Sequence, residues 1–414
     1  MMLGSLTPAQ RRQAILIILV AALGYFVDIF DLLLFGMVRV KSLQDLGMPP
    51  EQMLAQGGRL ISWQMGGMLA GGVLWGVLGD KKGRLSVLFG SIITYSVANL
   101  ANAYASSVDQ YVLWRFIAGL GLAGELGAGI TLVAEVLPKE SRGIGTSLVA
   151  GVGILGAVVA YGVQASVDWR TAYLVGGGLG LALLALRVGA RESGLFAKLK
   201  PGGRRGDLRL LLGSWAHLRK YLAVIGLGLP LWYMVGILVT FSPEFAKSAG
   251  LPQAVDAGKA IAACYLGLAV GDLASGLLSQ ALASRRKAVL AYMVLQVVAI
   301  GLYFGPGLHA PGAFYAVCAL MGLSGGYWAL FVTIGAEQFG TDVRATVTTT
   351  VPNFVRGAVP LMVMGFLALK GWLGSVALAG VGVGVVVFVL SFAGLARVEE
   401  TWGKDLDYLE GEQG

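Results

Sequence analysis

Runs of about twenty apolar residues recur along this chain from Gln13 to Leu395. Each is long enough to cross the hydrocarbon of a bilayer as a helix. In lipid no water satisfies the backbone, so a spanning segment must make its hydrogen bonds internally and becomes a helix. Only 13% of the 414 residues are charged, about half the fraction of a soluble protein. Twelve spans are expected, over residues 14–37, 57–79, 85–105, 111–136, 144–166, 171–189, 221–243, 258–281, 287–306, 312–336, 346–369 and 374–395. The fold class is therefore an all-α membrane protein of twelve transmembrane helices. The 63 glycines suit close contact between helices.

Charge placement orients the spans. With the N-terminus inside, 22 lysines and arginines fall in inner segments and seven in outer ones, leaving Arg115 and Arg356 within the membrane. That asymmetry puts both termini in the cytoplasm, and a bacterial inner membrane is the expected site. The net charge of +8 is thereby read as topology and excludes a nucleic-acid partner. Cys264 and Cys318 both fall within spans, so neither a disulfide nor a metal cluster is expected. The first apolar segment is full-length, so no cleavable leader is expected. No histidine cluster, nucleophile elbow or phosphate-binding loop is present, which argues against an enzyme or a cofactor site.

The basic segment 190–220 divides six spans (1–189) from six (221–414, with a short cytoplasmic tail). The halves repeat one another. "GMLAGGVLWGVLGD" at 67–80 matches "GLAVGDLASGLLSQ" at 267–280, with glycines coincident at 67/267, 71/271 and 76/276. Glu135 precedes Arg142 by seven residues, as Glu337 precedes Arg344. Duplicated six-helix halves place a binding site near the midplane between them.

"GVLGDKKGR" (76–84) resembles the signature loop of the major facilitator superfamily, and "VDIFDLLLFG" (27–36) resembles the first helix of its metabolite:proton symporter family. "RFIAGLGLAGELGAG" (115–129), "PKESRG" (138–143), "DWRTAY" (168–173) and "RESGLF" (191–196) extend the resemblance over the whole chain. The chain departs from the pattern at Ile29, where an aromatic is usual, and at Gln280, the counterpart of Asp80. The 149–162 segment lacks the glycine-proline motif of antiporters. The resemblance implies a two-bundle transporter in which Asp31 carries proton coupling. It also implies that Asp80, with Gly83 and Arg84, closes the inner side against the eleventh helix.

Asp28 and Asp31 lie about 60° apart around a helix and so share a face. That face lines water or protein, because charge in lipid is expensive. They are read either as a buried ion-pair element or as carboxylates that gain and lose a proton. Arg115 stands at the depth of Asp31 and is read as its partner or as an interfacial cation. Glu125 is a second protonation candidate.

Arg356 is about ten residues from either end of its span and cannot reach the interface. Its planar, permanently charged fork suits a carboxylate, which points to an anionic substrate; the rival reading is an ion pair with Asp272. Asn353, Tyr327, Trp328, Tyr233, Tyr265 and Gln64 are candidate cavity residues, with Trp232 beside them, against a reading as packing residues. Glu135 with Arg142, and Glu337 with Arg344, are candidate gating pairs alongside Asp80.

The resulting expectation is a secondary transporter that imports a small carboxylate-bearing metabolite with protons by alternating access. Its partners would be that solute, protons and lipid, and it would be a monomer. The alternatives are a facilitator or exporter of a neutral solute, and a sensor that binds without transporting. The short tail argues against the sensor.

Overall fold

The computed structural model describes residues 8–82, 84–125, 129, 133, 139–187, 213–251, 253–305, 310–339 and 341–402. Every element in them is helical: α1 (Pro8–Asp45), α2 (Met53–Lys82), α3 (Arg84–Asn102), α4 (Val108–Leu122), α5 (Lys139–Ser166), α6 (Trp169–Arg187), α7 (Trp215–Tyr233), α8 (Ser242–Ser248), α9 (Ala257–Ala281), α10 (Arg285–Tyr303), α11 (Pro311–Gly325), α12 (Trp328–Glu337), α13 (Thr341–Gly357), α14 (Val359–Leu373) and α15 (Val376–Arg397). A π-helical stretch, Met234–Val239, continues α7.

Helix starts follow local chemistry. Ser107, Asp256, Ser284 and Ser375 each accept a hydrogen bond from the backbone N–H three residues on. Each thereby satisfies a donor that the first helical turn leaves free. Gly374 ends α14 in the left-handed region, at φ 65°, where a Cβ would be strained.

Among the described residues, nine helical stretches are long and apolar enough to cross a membrane: Ala14–Asp45, Met53–Leu78, Trp169–Arg187, Trp215–Val239, Ala257–Ala281, Arg285–Tyr303, Pro311–Glu337, Val347–Leu373 and Val376–Arg397. Nine of the twelve expected spans coincide with these. The other three fall on α3, α4 and α5. The seventh span begins at Trp215, several residues earlier than its apolar run implied. Most of segment 190–220 lies outside the described residues.

Two compact units are present. One comprises Met1–Leu34 and Gly66–Gly206; the other comprises Phe35–Met65 and Asp207–Gly414. The last part of α1, from Phe35, and the first half of α2 thus pack with the later helices.

The repeat seen in the glycines has a physical cause. In the first unit a Cβ on Gly67 would strike the carbonyl of Phe116, and one on Gly71 the carbonyl of Leu120. In the second, Gly267 meets the Ala319 carbonyl and Gly271 that of Leu323 in the same way. Each pair seats one helix backbone directly on another, which only glycine permits. Gly76 and Gly276 have open space instead. Both crossing helices also stop at the same repeat position, α4 at Leu122 and α11 at Gly325.

Candidate functional site

In the first unit, α1 carries Asp28 and Asp31 into a fully buried setting. Arg115, equally buried on α4, reaches the Asp31 carbonyl at 3.4 Å and the Asn99 side-chain oxygen at 3.3 Å. Its guanidinium also lies 5.5 Å from the Tyr173 ring centroid. Tyr173 in turn shares a 2.7 Å hydrogen bond with Tyr111. Asp31's carboxylate faces Arg115 and Asn99, yet it makes no hydrogen bond to the Arg115 guanidinium. A Cβ at Gly176 would strike Asp31 Oδ1, so α6 approaches the carboxylate closely because it has no side chain there. The sequence reading put Asp31 and Arg115 at similar depth, and the structure brings them together.

Glu125 has a partner the sequence did not suggest. Arg187, the last residue of α6, donates from Nη1 to Glu125 Oε1 at 2.9 Å and from Nη2 to Oε2 at 2.7 Å. It also donates to the Leu88 carbonyl at 3.0 Å, and Ser91 donates to Glu125 Oε1 at 2.7 Å. Gly24 of α1 leaves room for the pair; a Cβ there would fall 2.8 Å from Glu125 Oε2. Arg187 closes an apolar span and reads as a loop cation, which hid its role.

In the second unit, three spans are irregular at once. α7 carries Pro230 and then the π-helical stretch. The span of α11 and α12 breaks at Gly326–Tyr327, and that of α13 and α14 at Ala358, flanked by Pro352 and Pro360. Discontinuous helices at membrane depth mark binding sites in transporters, and π-turns often do so in helices generally.

Asp272 accepts the Ala329 N–H at 3.2 Å. It therefore satisfies a free donor of α12 at the break. The rival reading of an Asp272–Arg356 pair finds no contact among the described residues: the new helix start needs an acceptor, and Asp272 supplies it. Gly326 makes the approach possible, since a Cβ there would fall 2.5 Å from the Asp272 nitrogen.

Arg356, in the last turn of α13, is 2% exposed. It makes no hydrogen bond and no ion pair with any described residue. Its guanidinium lies over the Trp232 ring, 5.3 Å from the centroid.

The other candidates are mostly committed to packing. Tyr327 donates to the Leu227 carbonyl at 3.0 Å and Tyr233 to that of Gly380 at 2.7 Å. Trp328 packs on Phe331 with the rings tilted by 37° and centroids 4.9 Å apart. Asn353 donates to the Thr349 carbonyl at 3.1 Å. Tyr265 and Gln64 are buried.

Of the gating candidates, Gly83 and Glu135 lie outside the described residues, as do the side chains of Asp80, Arg84, Arg142 and Arg344. Glu337 is described, and Arg285 donates to it at 3.2 and 3.4 Å. The Thr401 hydroxyl donates to it as well. A further pair escaped sequence reading. Fully buried Arg39 places its two terminal nitrogens 2.7 and 2.8 Å from the oxygens of Glu244. It also sits over Phe241, 4.6 Å from the ring centroid.

A family profile, that of the Major Facilitator Superfamily, matches residues 21–359. The chain belongs to this superfamily. It is thus a multi-pass secondary transporter of a small-molecule substrate and not an enzyme. A Haemophilus influenzae protein described in terms of metabolite transport is 29% identical over 407 residues, covering 94% of this chain and 96% of that one. A niacin transporter of Acinetobacter baylyi is 33% identical over 162 residues, 38% of this chain and 36% of its own. A 4-hydroxybenzoate transporter of Pseudomonas putida is 31% identical over 198 residues, covering 45% and 42%. The crystal structure of a D-xylose-proton symporter superposes with a TM-score of 0.70 at 17% identity, covering 95% of this superfamily member and all of that chain. That likeness concerns the fold.

Proposed function

We propose that this transporter imports a small, ring-bearing carboxylate together with protons, by alternating access around a midplane site. The observation that carries the anion is Arg356. A buried guanidinium with no acidic partner is expensive, because leaving one charge of a buried pair uncompensated costs about 3–5 kcal/mol. The α13 C-terminus offsets part of that through its dipole, and a substrate carboxylate offsets the rest. Two relatives bear names of transporters for such acids, niacin and 4-hydroxybenzoate.

Proton coupling rests on Asp28 and Asp31, with Arg115 as their counter-charge. A carboxylate beside a cation and a second carboxylate changes charge readily as their spacing changes. Glu125 is already held by Arg187 and serves better as a clamp than as the carrier. Asp80, Arg84 and the Glu337 cluster act as closures on the cytoplasmic side. Two six-helix bundles, 1–189 and 221–414, would do the rocking, as a monomer in a bacterial inner membrane with both termini cytoplasmic.

The test is uptake of radiolabelled 4-hydroxybenzoate and nicotinate into proteoliposomes with and without an inward proton gradient. Gradient-driven accumulation of either supports the proposal. Uptake that equilibrates without regard to the gradient supports a facilitator. Transport of only uncharged solutes removes the anion from the proposal.

A further inference from the structure

Arg356 is not alone in lacking an acceptor. Trp232 is 3% exposed, and its indole Nε1–H makes no hydrogen bond to any described residue. Arg356 Nε is likewise buried and unbonded. Two neighbouring side chains, the guanidinium 5.3 Å from the indole ring centroid, therefore each keep a buried donor that no described residue accepts. Each unmade hydrogen bond of this kind costs free energy.

The surroundings explain why the donors stay unpaired. Trp232 is the second-last residue of α7, and the π-helical stretch, where the backbone changes register, begins two residues later. Gln296 of α10 donates to the Pro230 carbonyl at 3.3 Å two residues earlier. That bond steadies the turn that presents the indole. Arg356 comes from α13, one residue before Gly357 ends it. Asp272, the nearest acid that sequence reading offered, is engaged at the Ala329 N–H. The Trp232 ring face holds the cation in place by cation–π attraction while leaving the guanidinium fork free.

We propose that Trp232 and Arg356 form one carboxylate subsite, in which the fork of Arg356 and the indole N–H of Trp232 donate to the same substrate carboxylate. This rests on the carboxylate reading above and adds the specificity-determining residue. The ligand class is an organic monocarboxylate. Its neutral amide is excluded because –CONH2 offers one acceptor oxygen to three donors and directs its own N–H groups at the cation.

The test measures binding of benzoate and nicotinate to the purified full-length protein, its Trp232→Phe variant, its Arg356→Lys variant and the double variant. Unfolding midpoints without ligand are recorded alongside. Phe keeps an aromatic face for Arg356 and removes only the donor. A hydrogen bond to a charged group is involved, so Trp232→Phe should weaken carboxylate binding about tenfold or more. The two single losses should not add, because both act on one group.

Wild-type-like affinity in Trp232→Phe overturns the subsite while leaving the carboxylate reading intact. If wild type binds neither acid, both fall together. A Trp232→Phe variant that unfolds early is replaced by one carrying benzothienylalanine at 232, which exchanges the indole N–H for sulfur at nearly the same shape. A tenfold weaker affinity there supports the subsite, and unchanged affinity overturns it.

Discussion

Arg187 holds Glu125 by two hydrogen bonds of 2.9 and 2.7 Å, and both side chains are buried. Removing one partner strands the other's charge. Arg187→Ala should therefore lower stability by about 3–5 kcal/mol, seen as a fall in the unfolding midpoint of detergent-solubilised protein. Replacing both, Arg187→Met with Glu125→Leu, should recover most of the loss, since an apolar pair of similar volume removes both charges. A midpoint for Arg187→Ala equal to wild type would mean the bridge does not support the fold.

Asp31 behaves differently because its carboxylate is buried beside Arg115 without a hydrogen bond from it. Asp31→Asn should abolish accumulation against a gradient yet preserve exchange between labelled and unlabelled pools, since exchange requires no net deprotonation. Asp28→Asn should be milder. Normal accumulation by Asp31→Asn under a proton gradient would remove this residue from the coupling step.

What was legible in the sequence follows from how each signal arises. Span placement depends on runs of apolar residues, and the repeat depends on glycines that let backbones touch, so both are local facts. The Asp31–Arg115 meeting was readable from depth alone. Partner choice was not. Asp272 turned out to cap a helix start that exists only because α11 breaks at Gly326, and nothing in "GLSGGYW" fixes where its free N–H will point. Arg187 looked like one cation among many in a basic loop, and Arg39 like a surface charge after a span. Both are buried because a distant acid meets them, which is tertiary information. Nor could the sequence say where the aromatic hydroxyls go: Tyr233 and Tyr327 donate theirs to the Gly380 and Leu227 carbonyls of other helices.

Glu400 joins the residues after α15 to the start of α10. It accepts from the Ser284 hydroxyl and from the N–H groups of Arg285 at 2.8 Å and Arg286 at 3.3 Å. Partial burial pushes its carboxyl up. The hydrogen bonds from Ser284, Arg285, Trp402 and Arg286 outweigh that and hold it below the ordinary glutamate value. A depressed folded value means the stabilisation is present above the unfolded value, about 4.3, and is lost as pH falls through the folded one. Amide hydrogen exchange at Arg285 and Arg286, corrected for intrinsic rate, should therefore rise on acidification below about pH 4. In Glu400→Gln it should already be raised at pH 7. Protection independent of both changes would show that Glu400 does not hold this helix start.

Arg39 and Glu244 suggest a second closure, at the opposite end of the spans from Glu400 in the proposed topology. A buried ion pair gains attraction but loses hydration, so the balance is small. Such a pair suits a contact that must open and reform. Gly57 and Gly58 of α2 complete it: a Cβ on Gly57 would fall 2.7 Å from Arg39 Cδ, and one on Gly58 2.8 Å from Val363 Cγ1 on α14. Val363 Cγ1 is one bond from its Cβ, which leaves the two Cβ atoms near the roughly 3.5–4.5 Å separation that a disulfide uses. Gly58→Cys with Val363→Cys should cross-link under mild oxidant and stop both uptake and exchange, with recovery on reduction. Glu244→Gln should open this end more readily and so slow formation of the cross-link. If the cross-linked protein transports at the wild-type rate, these helix ends do not part during the cycle, and the Arg39–Glu244 pair is a fixed element of the fold.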